Sequence, residues 1–353
     1  MDDLKLNIIY TPGSVRGLSL FVHSALRWMP VRFRLVSNGC DAAERRVLQR
    51  LCATDGRLSY WALPYEACVP HGMALDHLLS ITRERHFAFM DSDIFLSGDV
   101  MPELRQALKS HQAVFGGLPI WVREDEALFP QGFRNMTGMF NRDAEGRVLG
   151  STFFAVYEVD ALRRAQEEAG LGFDNHRLDD LPAKVQQRVQ ALGYDVDYFE
   201  TGKVLTLMML DHGAALANLT LPALHHIGGS SFQILMDQTP ETLRQRLNRH
   251  LPAAAQAVLR RRRMARLRAR YRHRYANAPE AELQVNVEQR LLRRDPVRQY
   301  FLAVMQALSS HKPAPLPVVT GDSETDGKIC NVRSAMIDLF ERDLPVHLDI
   351  VSE

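Results

Sequence analysis

The order of apolar runs predicts an α/β protein: a largely parallel sheet covered by helices. Two observations carry this expectation. Short apolar runs alternate with segments of helical spacing through the first ninety residues, and each of the first three runs stops at a Pro-, Gly- or Asn-containing turn. The segments between runs have about the length of crossover helices, roughly 10–15 residues.

Each element follows from its residues. Leu6–Tyr10 is an apolar run ended by Thr11-Pro12-Gly13, a strand meeting a turn. Leu18–Trp28 has helical spacing. Val31–Val36 is a second strand closed by Ser37-Asn38-Gly39, and Asp41 caps the helix Ala42–Cys52. Arg57–Leu63 is a third strand ended by Pro64, and Gly72–Arg83 is a helix with Leu75, Leu78 and Leu79 on one face. His86–Met90 is a fourth strand running into Asp91-Ser92-Asp93. Further on, Ala113–Gly116 and Thr152–Val159 read as strands, Asp160–Ala169 and Leu181–Ala191 as helices, and Lys203–Met209 as a buried apolar segment. Leu221–Ile227 leads into Gly228-Gly229-Ser230-Ser231. After Thr239 the composition shifts. Thr242–Tyr275 is rich in Arg, Ala and Leu, Pro313–Asp326 is a polar linker, and Ile329–Asp349 is amphipathic. The expected division is residues 1–240 as the main α/β domain and 241–353 as a helical extension.

Bulk properties narrow the function classes. With 353 residues, 46% of them hydrophobic, the chain can bury a sizeable core, and a net charge of +1 exerts no global pull toward nucleic acid or membrane. The four cysteines form no CxxC pair, as expected of reduced thiols. MDDLKLNIIY has no basic segment leading into an apolar one, and Asp211, His212 and Asn218 interrupt the longest apolar stretch, so a cytoplasmic protein is expected.

The strongest chemical signal is an apolar strand delivering two carboxylates, Asp91 and Asp93, one residue apart at its carboxyl end. Ligands of such sheets bind beyond that end. A nucleotide diphosphate needs a divalent cation, and the cation needs hard oxygen ligands. Far downstream, His225-His226-Ile227-Gly228-Gly229-Ser230 places imidazoles at a strand end before glycines that allow close approach to phosphate oxygens.

Strand-DxD after three βα units, followed more than a hundred residues later by a His-containing strand end, resembles the GT-A glycosyltransferases. The resemblance spans roughly residues 5–235. His225-x-x-Gly228 is similar to the HxxG element of family 8 retaining enzymes, although the Lys-Pro-Trp that follows there is replaced by Ser230-Ser231-Phe232. The resemblance implies Mn²⁺ or Mg²⁺ held by Asp91, Asp93 and one of His225 and His226, with register favouring His225. It implies a nucleotide-sugar donor, a UDP-sugar first among them, contacting Tyr10, Thr11, Pro12, His71, Asp76, Ser92, Gly228, Gly229 and Ser230. Gly150-Ser151-Thr152-Phe153-Phe154 resembles the small-residue strand entry that lines the sugar site in those enzymes. The resemblance implies an acceptor that the sequence does not identify, a glycan, a lipid-linked species or a small molecule. An inverting reaction needs a carboxylate base; of Asp174, Asp179, Asp180 and Glu200, the reading favours Glu200 or Asp180. The tract from Arg260 to Arg274 suits a solvated helix or a peripheral contact with anionic lipid, with nucleic acid the less favoured partner. Two rivals remain. One is a HAD-type phosphohydrolase, disfavoured because its DxD lies on the first strand. The other is a nucleic-acid-binding protein acting through the Arg tract.

Overall fold

The computed structural model describes residues 4–123, 141–142, 148–150, 152–193, 198–237 and 293–351, with scattered positions between 252 and 269. Thirteen strands are described, in chain order. They are β1 (Lys5–Tyr10), β2 (Arg32–Ser37), β3 (Leu58–Ala62), β4 (His86–Asp91), β5 (Ile94–Leu96), β6 (Ala113–Gly116), β7 (Asn141–Arg142), β8 (Val148–Leu149), β9 (Phe154–Glu158), β10 (His176–Arg177), β11 (Tyr198–Phe199), β12 (Leu216–Asn218) and β13 (Leu224–His226).

Seven of them form one mixed sheet in the order β12-β6-β9-β4-β1-β2-β3. The β4-β1-β2-β3 half is parallel, and β9 lies antiparallel between β4 and β6. This is the Rossmann-like α/β sheet that the alternation of runs predicts. The antiparallel strand is what the pattern does not reveal, because a strand buried on both faces shows the same apolar run in either direction.

Period-two alternation assigns each strand's side chains to two cores. Leu6, Ile8, Ala88, Met90, Phe154 and Val156 face one, while Val36, Phe87, Phe89, Ala155 and Tyr157 face the other. Helices His71–Ser80, Val159–Ala169, Ala183–Ala191 and Lys203–Asp211 cover the second face. On the first lie Phe21–Trp28 and Ala42–Thr54, the latter opened by the expected cap, in which Asp41 and Glu44 form a reciprocal capping box. The segment expected as one helix over Leu18–Trp28 is two, Val15–Leu18 and Phe21–Trp28. They part at Ser19, whose hydroxyl meets His347 Nε2 at 3.2 Å.

Two C-terminal helices, Asp295–Ser309 and Ser323–Val351, complete the first face. Val297, Phe301, Val304, Ile329, Met336 and Phe340 are buried in the same core as Leu6 and Phe33. These two helices are thus packed into the sheet's own core. The helix Asp295–Ser309 had no counterpart in the sequence reading.

Glycine is required where the sheet's carboxyl edge is built. Gly39 follows β2 at φ +72°, and a Cβ there would lie 2.3 Å from the Cys68 backbone nitrogen. Gly39→Ala is expected to destabilise the protein by about 1–3 kcal/mol, measured as a lowered denaturant midpoint. An unchanged midpoint would show that the loop yields. Beside it, Asn38 bonds Val69 in both directions, at 2.9 Å each, and so fixes the entry to the helix that begins at His71.

Candidate metal centre and cleft

Strand β4 ends at Asp91 next to the end of β1, with Ile9 opposite Asp91 in the parallel register. The chain then turns, and the short strand β5 pairs antiparallel with β13, setting His226 opposite Ile94 and His225 opposite Phe95. The amide of Ile227 donates to the Asp93 carbonyl at 3.2 Å. This pairing, rather than the sheet itself, brings the downstream histidine to the acidic motif.

Among the described residues, Asp91, Asp93 and His226 are the group of side chains that could hold a metal ion, with one ligand atom from each lying within 4.8 Å of the others. His226 Nε2 is 3.4 Å from Asp91 Oδ2 and 3.3 Å from Asp93 Oδ1. The register preference for His225 is overturned. Alternation along β13 turns His225 the other way, where Nε2 lies 2.8 Å from Ser97 Oγ and the ring packs on Phe95.

The arrangement fits a cation. His226 Nδ1 donates to the Gly117 carbonyl, so a cation that displaced the Nε2 proton would find the Nε2 lone pair facing it beside the carboxylates. That Nε2 is buried without a hydrogen-bond partner, an orphan a cation would satisfy. Asp93, 1% exposed, accepts from the Ser230 amide at 2.6 Å, at the start of the helix Ser230–Asp237. Two carboxylates and one imidazole form a mixed oxygen–nitrogen ligand set. Without a cation the same groups form an internal ion pair. Burial opposes charging His226, but Asp93 and Asp91 outweigh it and raise its pKa to about 10. Burial also disfavours the Asp93 carboxylate, yet His226, the Ser230 amide and Arg298 lower its pKa to about 2.

A cleft opens beside Asp91, lined by His71, Thr152, Asn175, Tyr198, Glu200 and Lys203, with Phe153 and Thr201. Its far wall comes from the short antiparallel pair β10–β11 and the start of the helix Lys203–Asp211. Gly202, at φ +73°, makes that turn; a Cβ there would lie 2.8 Å from Thr152. Burial lowers the pKa of His71, with the charge of Asp91 opposing.

The other sequence-nominated residues divide. Glu200 and His71 line the cleft. Ser92 is buried at the motif's turn, and Gly228, Gly229 and Ser230 form the turn beneath Asp93. Thr11 and Pro12 stand at the same sheet edge, in a turn closed by Ser14 on the Thr11 carbonyl. Tyr10 does not reach the cleft: it is fully buried in the first core. Asp76 is engaged elsewhere, accepting from the Phe173 amide at 3.0 Å and from Gln166 at 3.0 Å. Asp180 is exposed on the 3₁₀ turn Leu178–Asp180 and does not line the cleft. Its place in sequence before Pro182 made it a candidate; the turn directs it to solvent.

Lys203 escaped sequence reading. It heads an apolar helix, is 3% exposed, and donates to the Gly150 carbonyl at 2.6 Å. Burial lowers its pKa to about 7, with Glu200 opposing. A lone lysine at the head of Val204-Leu205-Thr206-Leu207 was the available signal.

No family model and no curated protein sequence matches the chain. Solved structures do. A structure of LgtC, a protein also solved as a galactosyltransferase with donor and acceptor sugar analogues, is 12% identical over 69% of this chain and 99% of its own, with a TM-score of 0.41. TarS of S. aureus matches at 12% identity over 96% of this chain and 92% of its own, TM-score 0.39. The glycosyltransferase GlyE of Streptococcus pneumoniae matches at 10% identity over 65% of this chain and 55% of its own, TM-score 0.38. All three scores lie below 0.5, and the fold described above rests on strand order alone.

Proposed function

We propose that this chain is a metal-dependent glycosyltransferase of the GT-A type, moving a sugar from a nucleotide-sugar to an acceptor. The observation that carries the reading is the Asp91–Asp93–His226 cluster, with its orphaned Nε2, at the carboxyl end of β4 beside a polar cleft. Mn²⁺ or Mg²⁺ held there would neutralise the donor diphosphate and stabilise it as leaving group. The chain's own residues prepare the site. Gly117 fixes the His226 tautomer, the Ser230 amide aims Asp93, and hydroxyl and amide side chains of Thr152, Asn175 and Tyr198 offer partners for sugar hydroxyls. Glu200, which lines the cleft with Asp91, would take a proton from the incoming hydroxyl in an inverting reaction.

A thermal-shift and calorimetric series of UDP and UDP-sugars, with and without Mn²⁺, tests the reading. Binding that depends on the cation is expected. Equal UDP affinity in both conditions would sink the metal assignment. Glu200→Gln should lower the rate of UDP release from the donor by about 10²–10⁴-fold at an unchanged donor KM. An unaltered rate removes Glu200 as base.

The Arg260–Arg274 tract lies largely outside the described residues. Its proposed contact with an anionic surface is tested by replacing Arg260–Arg263 with Ser, which should weaken flotation with anionic vesicles. Unchanged flotation argues against it.

A further inference from the structure

The turn Gly228–Gly229 adopts φ of +87° and +85° in succession, a conformation that no side chain of its own enforces. Glycine pairs are loose in the absence of outside contacts. Here the contacts come from the C-terminal helix and from the loop after β6. Arg298, on the helix Asp295–Ser309 and 7% exposed, donates through Nε to the Gly228 carbonyl at 2.6 Å. Its guanidinium occupies the place where a side chain at 229 would stand, so that a Cβ there would fall 1.5 Å from Nη2. Trp121 Nε1 points to the same carbonyl at 3.4 Å, and Arg294 stacks over the Trp121 ring at 5.9 Å. The turn separates His226 from Ser230, whose amide holds Asp93.

Resting on the metal-site reading above, we propose that Arg298 is a positioning residue of that site. It holds the Gly228–Gly229 turn so that His226 and the Ser230 amide keep Asp93 and the cation position in register. The C-terminal helix is then part of the donor site, and its role is not confined to covering the sheet. An arginine suits the task because its planar fork donates laterally from Nε while its outer nitrogens pack beside Gly229; a lysine ammonium has no such geometry. With a divalent cation balancing Asp91 and Asp93, the Arg298 charge remains as an excess beside a site meant for a diphosphate.

The test is Mn²⁺ titration of the full chain, followed through the free-ion paramagnetic resonance signal, for wild type, Arg298→Ala and Arg333→Ala. Arg333 is the structural control. It sits on the helix Ser323–Val351 and bonds the Pro315 and Ala314 carbonyls, away from the cluster. Arg298→Ala should raise the Mn²⁺ dissociation constant about 10–100-fold, as removal of outer-shell partners does. Arg333→Ala should lower the thermal midpoint yet leave that constant within about twofold of wild type. If Arg298→Ala fails to fold, Arg298→Gln is read in its place. Wild-type Mn²⁺ affinity in the Arg298 variant, or equal weakening in the Arg333 variant, overturns the positioning role and leaves the metal site standing. Absence of Mn²⁺ binding by the wild-type chain overturns both.

Discussion

Asp93→Asn is expected to weaken divalent-cation binding by on the order of 100-fold or more, a larger loss than removal of an outer-shell partner gives. Metal-dependent UDP binding should fall with it. The reason is geometric as well as electrostatic. Asp93 aims Oδ1 at His226 and Oδ2 at the Ser230 amide, and its own carbonyl takes the Ile227 amide. Asparagine retains an acceptor for Ser230 and removes the charge. Asp93→Ala, by contrast, also strips the cap from the helix Ser230–Asp237, at about 1 kcal/mol, and leaves His226 beside Asp91 alone. The alanine variant therefore mixes a stability loss with the loss of metal, and the asparagine variant separates them. Calorimetry of UDP with and without Mn²⁺ on Asp93→Asn decides the matter. Metal-dependent affinity equal to that of wild type would show that Asp93 serves the fold and not a cation.

Much of this site was legible before the fold was known, and the reason is local. Asp91 and Asp93 sit one residue apart at the end of an apolar strand, so their placement follows from the strand period and the turn. The cap at Asp41 was readable in the same way. His226 was legible only as one of two, because the choice depends on the antiparallel pairing of β13 with the three-residue strand β5. A strand so short leaves almost no periodic trace. Asp76 and Asp180 were plausible by position, and what displaced them is tertiary. The Phe173 amide claims Asp76, and the 3₁₀ turn exposes Asp180. Arg298 had no local signal at all. Its role depends on a helix about 70 residues downstream folding back beneath a glycine pair, and neither its neighbours in sequence nor its spacing announce that.

Cation binding should release a proton, and affinity should therefore rise with pH. In the metal-free chain burial opposes the charged imidazole of His226, but Asp93 and Asp91 hold its pKa up at about 10. A cation takes Nε2 only in the neutral form, so it must displace that proton. The sign follows. Below the ordinary imidazole range the ion pair stabilises the metal-free fold fully, and that contribution is lost as pH rises through about 10. Asp93, held at about 2, stays ionised throughout the working range and adds no slope there. Between about pH 7 and 9 one proton leaves per cation bound, so the Mn²⁺ dissociation constant should fall about tenfold per pH unit and level off above about pH 10. Calorimetry in buffers of different ionisation enthalpy counts the protons directly. One proton per Mn²⁺ at pH 7.5, lost in His226→Ala, is the expected result. Mn²⁺ binding with no proton release would mean either that His226 is already neutral in the free protein or that it keeps its proton and does not ligate the cation.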